Sequence, residues 1–379
     1  MQIEGQGKSR LKYLNALRGL AAMWVLMEHT ALSLSPRLYV PGWLDMFVVS
    51  GSMGVELFFV VSAFSLCLSM PGHAQEKRPL IGFALRRFFR IAPLFYLVMI
   101  LMIIRYREHQ FGEILANIFF VFNFIDGYQP SIVPSGWTIG IEMPFYLVFP
   151  FIYARVRNIW HAAAAVALFI VIGNIYQLAL PAIVATPSNY ILYAAIHKLP
   201  IFGFGLLAFH LAPYLENNPE KRSIGVFLLF SSIAIFMMIQ SGRSALIEPY
   251  YWRGVMFCLV VLGFSVAPMP ALINNWTDWL GERSYSIYLV HVPVILLLQG
   301  AIRAIESSIP QSMSYLVILI MVASCVIAVS ATTYSLLERP VNDYGRKIAR
   351  RLAGAPTVAR LAAIDGSDAQ RPTVSVRKA

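Results

Sequence analysis

Apolar residues in this chain run unbroken across most of a bilayer's width again and again. They do not recur at the three-four spacing of an amphipathic helix, nor alternate as in a half-buried strand. The pattern predicts an all-α, polytopic membrane protein with spans near Leu14–Leu34, Gly51–Met70, Phe88–Ile104, Trp137–Tyr153, Trp160–Leu180, Leu192–Leu211, Ile224–Ile239, Tyr251–Val266, Ser286–Ile302 and Tyr315–Leu337, about ten in all. The apolar piece Ile114–Ile125 is too short to cross unaided and is expected as a re-entrant or interfacial helix buried against protein.

Composition agrees, at 58% hydrophobic and 13% charged residues with a mean hydropathy of +0.65. Charge then sets the orientation. With ten spans and both termini cytoplasmic, 23 of the 30 Lys and Arg fall on the inside, including nine from Arg339 onward. Counting Ile114–Ile125 as a full crossing would move that C-terminal cluster outside, against the positive-inside bias. The net charge of +11 is thereby explained by topology, and nothing points to a nucleic-acid partner. Arg18, Glu28 and His29 interrupt what would be the apolar core of a cleaved leader, so the first span is expected to stay attached. Residues 1–344 form the membrane domain, and 345–379, rich in Ala, Arg, Ser and Thr, read as a basic, partly disordered cytoplasmic tail.

Arg18 and His29 stand out because both belong to the first span. An Arg at the centre of a span costs roughly 2.5–3.5 kcal/mol on insertion scales, so function is the default expectation for it. Eleven helical residues rotate by three turns plus about 20° and rise about 16 Å, which puts the two side chains on one face. By depth, Glu28, His29, Glu56 and Glu142 share the outer third of the membrane. Glu56 or Glu142 would hold one nitrogen of His29 and so fix its tautomer, as a general base for a hydroxyl requires. Glu28 points about 100° away from His29 and reads as a structural member. Each of these groups alone is equally well explained by helices satisfying one another's polar side chains.

Arg86, Arg87 and Arg90 form a second constellation at the inner boundary, with Arg86 and Arg90 four apart on one face and Arg18 at the same depth. Guanidinium forks suit phosphates, although topology anchoring and lipid headgroups use the same residues. By depth His291 goes with these arginines, where it either helps bind a donor or bonds a neighbouring helix. Ser62 reads as a packing serine, Trp137 as an interfacial aromatic. Cys67, Cys258 and Cys325 lie within spans as small packing residues, and no metal motif appears.

Together these stretches resemble acyltransferase family 3, the integral membrane proteins that include bacterial O-acetylases of surface polysaccharides. The matching pieces are Leu17-Arg18-Gly19 with His29, Gly54-Val-Glu56-Leu-Phe-Phe-Val-Val-Ser62, Arg86-Arg-Phe-Phe-Arg90-Ile-Ala-Pro93, Trp137-Thr-Ile-Gly-Ile-Glu142 with Phe145-Tyr146, Ser284-Tyr-Ser-Ile-Tyr288-Leu-Val-His291, and Glu338-Arg-Pro340. They run in the family's order over about residues 10–345. Two departures are visible: Ala63 where the family usually has Gly, and Glu56 where relatives often have Asp. No esterase-like domain of the kind some relatives append is expected after the last span.

The resemblance implies an O-acetyltransferase of the bacterial inner membrane with no bound cofactor. Its donor would be acyl-CoA, acetyl-CoA by default, held on Arg18, Arg86, Arg87, Arg90 and His291. The acceptor would be a hydroxyl of a carbohydrate such as lipopolysaccharide, exopolysaccharide or a lipid-linked precursor, and polysaccharide synthesis machinery would be a further partner. His29 would act as base, or carry the acyl group itself, with Glu142 or Glu56 beside it; Ser62, Trp137 and Tyr288 are further motif positions. The rival expectation is a proton-coupled transporter or flippase of a lipid-linked sugar, against which the absence of an internal repeat counts.

Overall fold

The computed structural model describes residues 2–184, 187–242 and 248–354, and among them every regular element is a helix. The first part of the chain forms α1 (Gln2–Leu32), α2 (Gly42–Val49), α3 (Met53–Ala74), α4 (Pro79–Tyr106), α5 (Phe111–Ile118), α6 (Trp137–Arg155), α7 (Ile159–Ala179) and α8 (Pro187–Tyr193). The second part forms α9 (Ala195–Glu216), α10 (Lys221–Gln240), α11 (Pro249–Val266), α12 (Asn275–Glu282), α13 (Ser284–Leu297), α14 (Gln299–Ser308), α15 (Gln311–Thr333) and α16 (Arg339–Ala353). A π-helical turn, Tyr334–Glu338, joins the last two.

Seven of these stretches are long and apolar enough to cross a membrane: α3, α4, α6, α7, α9, α10 and α15. Helices α13 and α14 make an eighth if their pair, bent by 65°, counts as one broken span. The protein is thus an integral membrane protein with seven to eight such helices where ten spans were expected. The first expected span, α1, falls outside that set, carrying Arg18, Glu28 and His29 in its apolar part. The apolar run of α11, Tyr250–Val266, is short.

Burial sorts the helices into a centre and a rim. In α3, 78% of the apolar window is buried, and in α10 only 17%. The exposed faces of α7, α10 and α15 carry Leu168, Ile175, Phe227, Phe230 and Ile320, an exterior as apolar as the core, which suits lipid rather than water. Helix α1 runs through the centre, packed against α3, α12, α13 and α15. Two contacts depend on missing side chains. A Cβ on Gly281 would come within 1.9 Å of the Asn15 carbonyl oxygen, and one on Gly19 within 2.9 Å of Gly281 and Leu280, so α12 lies directly on α1 beside Arg18.

The expected short piece Ile114–Ile125 is a broken segment, α5 followed by a single 3₁₀ turn at Phe122–Phe124. Two buried asparagines fold it back. The Asn117 side-chain oxygen accepts from Ser131 Oγ (2.7 Å) and the Ile132 amide (3.2 Å), while Asn123 Nδ2 donates to the carbonyls of Trp137 (3.0 Å) and Tyr193 (2.8 Å). They satisfy backbone that leaves the helix at membrane depth, and they fix where α6 begins. At the other end of the chain, α16 continues into the expected tail and packs along α4, the Arg78 amide donating to the Ala353 carbonyl (2.9 Å). The tail beyond Gly354 lies outside the described residues.

Candidate active site

Helices α1, α3, α4, α6 and α13 surround a small cavity of about 70 Å³. Arg18, Ser62, Arg87, Arg90, Glu142 and Tyr146 supply its polar lining. Arg18 Nη2 donates to Ser65 Oγ (2.8 Å) and Nη1 to Asn15 Oδ1 (3.4 Å), while Ser62 Oγ and the Tyr146 hydroxyl lie 3.1 Å apart. Arg87 and Arg90 are three apart and so share a face of α4. The Arg87 guanidinium lies 5.5 Å from the Phe83 ring centre and 5.6 Å from that of Tyr146. Glu142 interacts with Tyr146, one turn further along α6, and with Arg90, Arg18 and Arg87.

The π-helical turn supports this wall from outside the cavity lining. Glu338 interacts with Arg90 and Arg283 and accepts a short hydrogen bond from Ser286 Oγ, which also meets Thr333 Oγ1 at 3.1 Å. The residue before Ser286 makes a further tie: the Tyr285 hydroxyl donates to the Ile91 carbonyl (2.6 Å), fixing α13 to α4. Three guanidiniums therefore face two carboxylates in an apolar bundle, a positive surplus where charge is weakly screened. Such a place favours phosphate or another anion.

Tyr288 leads from the cavity to a pair of imidazoles. Its ring is 5.6 Å from that of His291, and the His291 and His29 rings meet edge to face at 4.9 Å. His29 Nδ1 donates to the Val25 carbonyl (3.0 Å) and His291 Nδ1 to the Tyr288 carbonyl (2.5 Å). A carbonyl only accepts, so in each ring the proton of the neutral form sits on Nδ1 and the lone pair on Nε2. The buried Nε2 of His291 has no hydrogen-bond partner.

A family model described as an acyltransferase domain matches residues 11–333. The chain belongs to acyltransferase family 3. Among its relatives are the peptidoglycan O-acetyltransferase OatA of Listeria monocytogenes, 25% identical over 88% of this chain and 56% of that protein, and the putative peptidoglycan O-acetyltransferase YrhL of Bacillus subtilis, 24% identical over 89% and 56%. The exopolysaccharide production protein ExoZ of Rhizobium meliloti is 26% identical over 80% of this chain and 94% of its own length. The chain thus spans little more than half of the two peptidoglycan relatives and nearly all of ExoZ. No solved structure matches it significantly.

The family's motif residues do not all go where depth along the chain had placed them. Arg18, Arg87 and Arg90 converge on the cavity, but Arg86 turns away, its Nη2 donating to Glu76 (2.6 Å) and to His73 Nδ1 (2.7 Å). An ion partner at the end of α3 outweighs the shared face with Arg90. Glu142 sits with the arginines rather than with His29, and His291 sits with His29 rather than with the arginines. Neither exchange follows from counting residues along one helix. Glu56 is held by Arg253 Nη1 at 3.2 Å, and the backbone of Val25 takes the place at His29 expected for a carboxylate. Trp137 rests on Tyr193, ring centres 5.4 Å apart, at the α6 terminus that Asn123 fixes. Sequence reasoning quoted Tyr146 and Glu338 only as pieces of matching motifs and gave neither a role; Tyr146 was legible as the residue one turn after Glu142.

Proposed function

We propose that the protein is an O-acetyltransferase of the bacterial inner membrane, moving an acetyl group from acetyl-CoA to a hydroxyl of a cell-surface carbohydrate. The observation that carries this reading is the positively charged cavity joined through Tyr288 to two imidazoles with their protons held on Nδ1. Arg18, Arg87 and Arg90 bind phosphate oxygens of the donor, and Glu142 and Tyr146 hold the guanidiniums in place. The pantetheine arm then runs along α1 toward His29, about 16 Å of helix rise from Arg18. The relatives' printed functions, on peptidoglycan and in exopolysaccharide production, support a glycan acceptor. Partnership with the enzymes that make the glycan would follow from that.

In the reaction His29 Nε2 accepts the proton of the sugar hydroxyl as its oxygen attacks the thioester carbon. The tetrahedral oxyanion forms within reach of hydroxyl donors such as Tyr288. The carbon–sulfur bond breaks, the acetyl ester remains on the sugar, and the imidazolium returns its proton to the thiolate as coenzyme A leaves. His291 packs against His29 and holds its ring in orientation.

The test is reconstitution in liposomes with acetyl-labelled acetyl-CoA and an extract of glycans and glycolipids. Label entering an alkali-labile ester, with equal release of free thiol, is the expected result. No thiol release with any extract would overturn the reading in favour of a transporter.

A further inference from the structure

A second polar group lies at the end of the bundle where α1 finishes and α3, α9 and α11 begin. Glu28, Glu56, His197, Lys198, Tyr250 and Arg253 meet there. Lys198 Nζ sits 4.1 Å from the centre of the Tyr250 ring, on which His197 stacks at 5.0 Å, and Arg253 closes onto Glu56. Glu28, Glu56, His197 and Tyr250 are each more than nine-tenths buried. Nevertheless Glu28 Oε2, Glu56 Oε2, both ring nitrogens of His197, the Tyr250 hydroxyl and Arg253 Nε have no hydrogen-bond partner. A buried polar atom left in that state costs about 1–3 kcal/mol, and so many in one place mark where a ligand bonds.

Its chemistry can be read from the atoms. Carboxylate oxygens only accept; the tyrosine hydroxyl and guanidinium Nε–H donate; a neutral imidazole does one at each nitrogen. An anion would satisfy the donors and repel the acceptors, and a cation the reverse. Lys198 and Arg253 stand among Glu28, Glu56 and, at the edge 4.0 Å from His197 Nε2, Glu248, so there is no surplus of cations to recruit an anion, and the donors beside them disfavour a cation. A sugar hydroxyl both donates and accepts. The position also fits, since Glu28 precedes His29 on α1 and Tyr288 interacts with Glu142 on one side and with Glu56 and Glu28 on the other.

We propose that this group is the subsite for a neutral sugar ring of the acceptor glycan, entering from the end of the bundle opposite the arginines and presenting a hydroxyl to His29. The proposal rests on the transfer reading above and states where its acceptor sits.

Binding of a neutral tetrasaccharide, chitotetraose or cellotetraose, to the full chain in nanodiscs tests it without any turnover. Calorimetry should show binding to the wild type that weakens about five- to tenfold in Tyr250→Phe, the loss expected for one hydrogen bond. Arg87→Gln should leave sugar binding unchanged and weaken acetyl-CoA binding, with Tyr250→Phe the reverse. Unchanged acetyl-CoA binding by Tyr250→Phe also shows that the variant is folded. No binding of either tetrasaccharide to the wild type, or equal binding by Tyr250→Phe, overturns the subsite. Sugar binding without any acetyl transfer would instead sink the proposed activity and leave the subsite standing, so the two failures are distinguishable.

Discussion

The cavity around Arg18, Arg87 and Arg90 and the polar group around Lys198 and Tyr250 belong to one bundle and differ in almost every physical respect. The first encloses open space and carries three guanidiniums against the carboxylates of Glu142 and Glu338. In the second, two cations stand among the carboxylates of Glu28, Glu56 and Glu248, and several buried atoms lack partners. Surplus charge around a cavity suits a highly charged ligand, since the field draws it in. Mixed charge with unfilled donors and acceptors suits a neutral ligand recognised by shape and hydrogen bonds. Helix α1 belongs to both regions, with Arg18 in the one and Glu28 in the other, and His29 stands where they meet.

Removing the residue at that junction should have the largest effect. His29→Ala is expected to lower kcat for acetyl transfer by about 10²- to 10⁴-fold, the range of a general base, while binding of acetyl-CoA and of the tetrasaccharide persists. Normal turnover in that variant would remove His29 from the mechanism and with it the division of labour between the two ends. His291→Gln offers a sharper view, because it keeps a side chain of similar reach beside His29. A kcat loss smaller than that of His29→Ala, with both KM values preserved, is expected of a ring that only orients the base.

The next effect separates the arginines from one another. Arg18→Gln and Arg90→Gln should raise KM for acetyl-CoA about ten- to a hundredfold, as loss of a charge-assisted hydrogen bond does. Arg86→Gln should leave that KM unchanged, because its guanidinium is already bonded to Glu76 and His73. Equal KM effects in all three variants would mean that the cluster acts as a general positive patch, and the contrast between cavity and far end would lose its basis.

Much of this was legible in the chain and some was not, for identifiable reasons. Run length and residue type carried the all-helical membrane class, the shortness of the Ile114–Ile125 piece and the placement of Arg18 and His29 on one helix, since each is a property of a single segment. Pairings between helices depend on where each helix starts and ends, and there the reading by depth failed. Asn123 ties the broken segment after α5 to the start of α6, and on α13 the cavity-lining Tyr288 and His291, one turn apart, bring the second imidazole to His29. Seven to eight helices among the described residues pass on length and hydropathy where ten were expected; of the others, α1 carries Arg18 and Glu28 in its apolar part and the apolar run of α11 is short. Lys198, inside the expected span Leu192–Leu211, was a signal passed over, whereas a tyrosine in Pro249-Tyr-Tyr-Trp looks like an interfacial residue until packing buries it.

A smaller effect comes from charge balance at the far end. Glu56→Gln keeps the volume of the side chain and deprives Arg253 of its carboxylate. Arg253 retains some exposure, 28% of its side chain, so the penalty is well below that of a fully buried broken pair, about 1–2 kcal/mol. Thermal unfolding in detergent should fall by a few degrees while KM for acetyl-CoA stays the same. A changed donor KM would mean that the two polar regions are coupled electrostatically along α1 rather than independent.

The smallest effect tests whether the π-helical turn belongs to the cavity's mechanism or only to its frame. Ser286 bonds Glu338 and Thr333 and, unlike Ser284, does not line the cavity. Ser286→Ala removes a donor to a partly buried carboxylate and should cost about 1 kcal/mol of stability, read as a shift in thermal unfolding. Because Glu338 also faces Arg90, a frame that loosens should let that guanidinium drift and raise KM for acetyl-CoA by about two- to threefold, with kcat unchanged. Restoring the hydroxyl as Ser286→Thr should recover both. An unchanged KM alongside lost stability would confine Glu338 to holding α13 against the turn, and leave Arg90 positioned from the other side of the cavity by Glu142 alone.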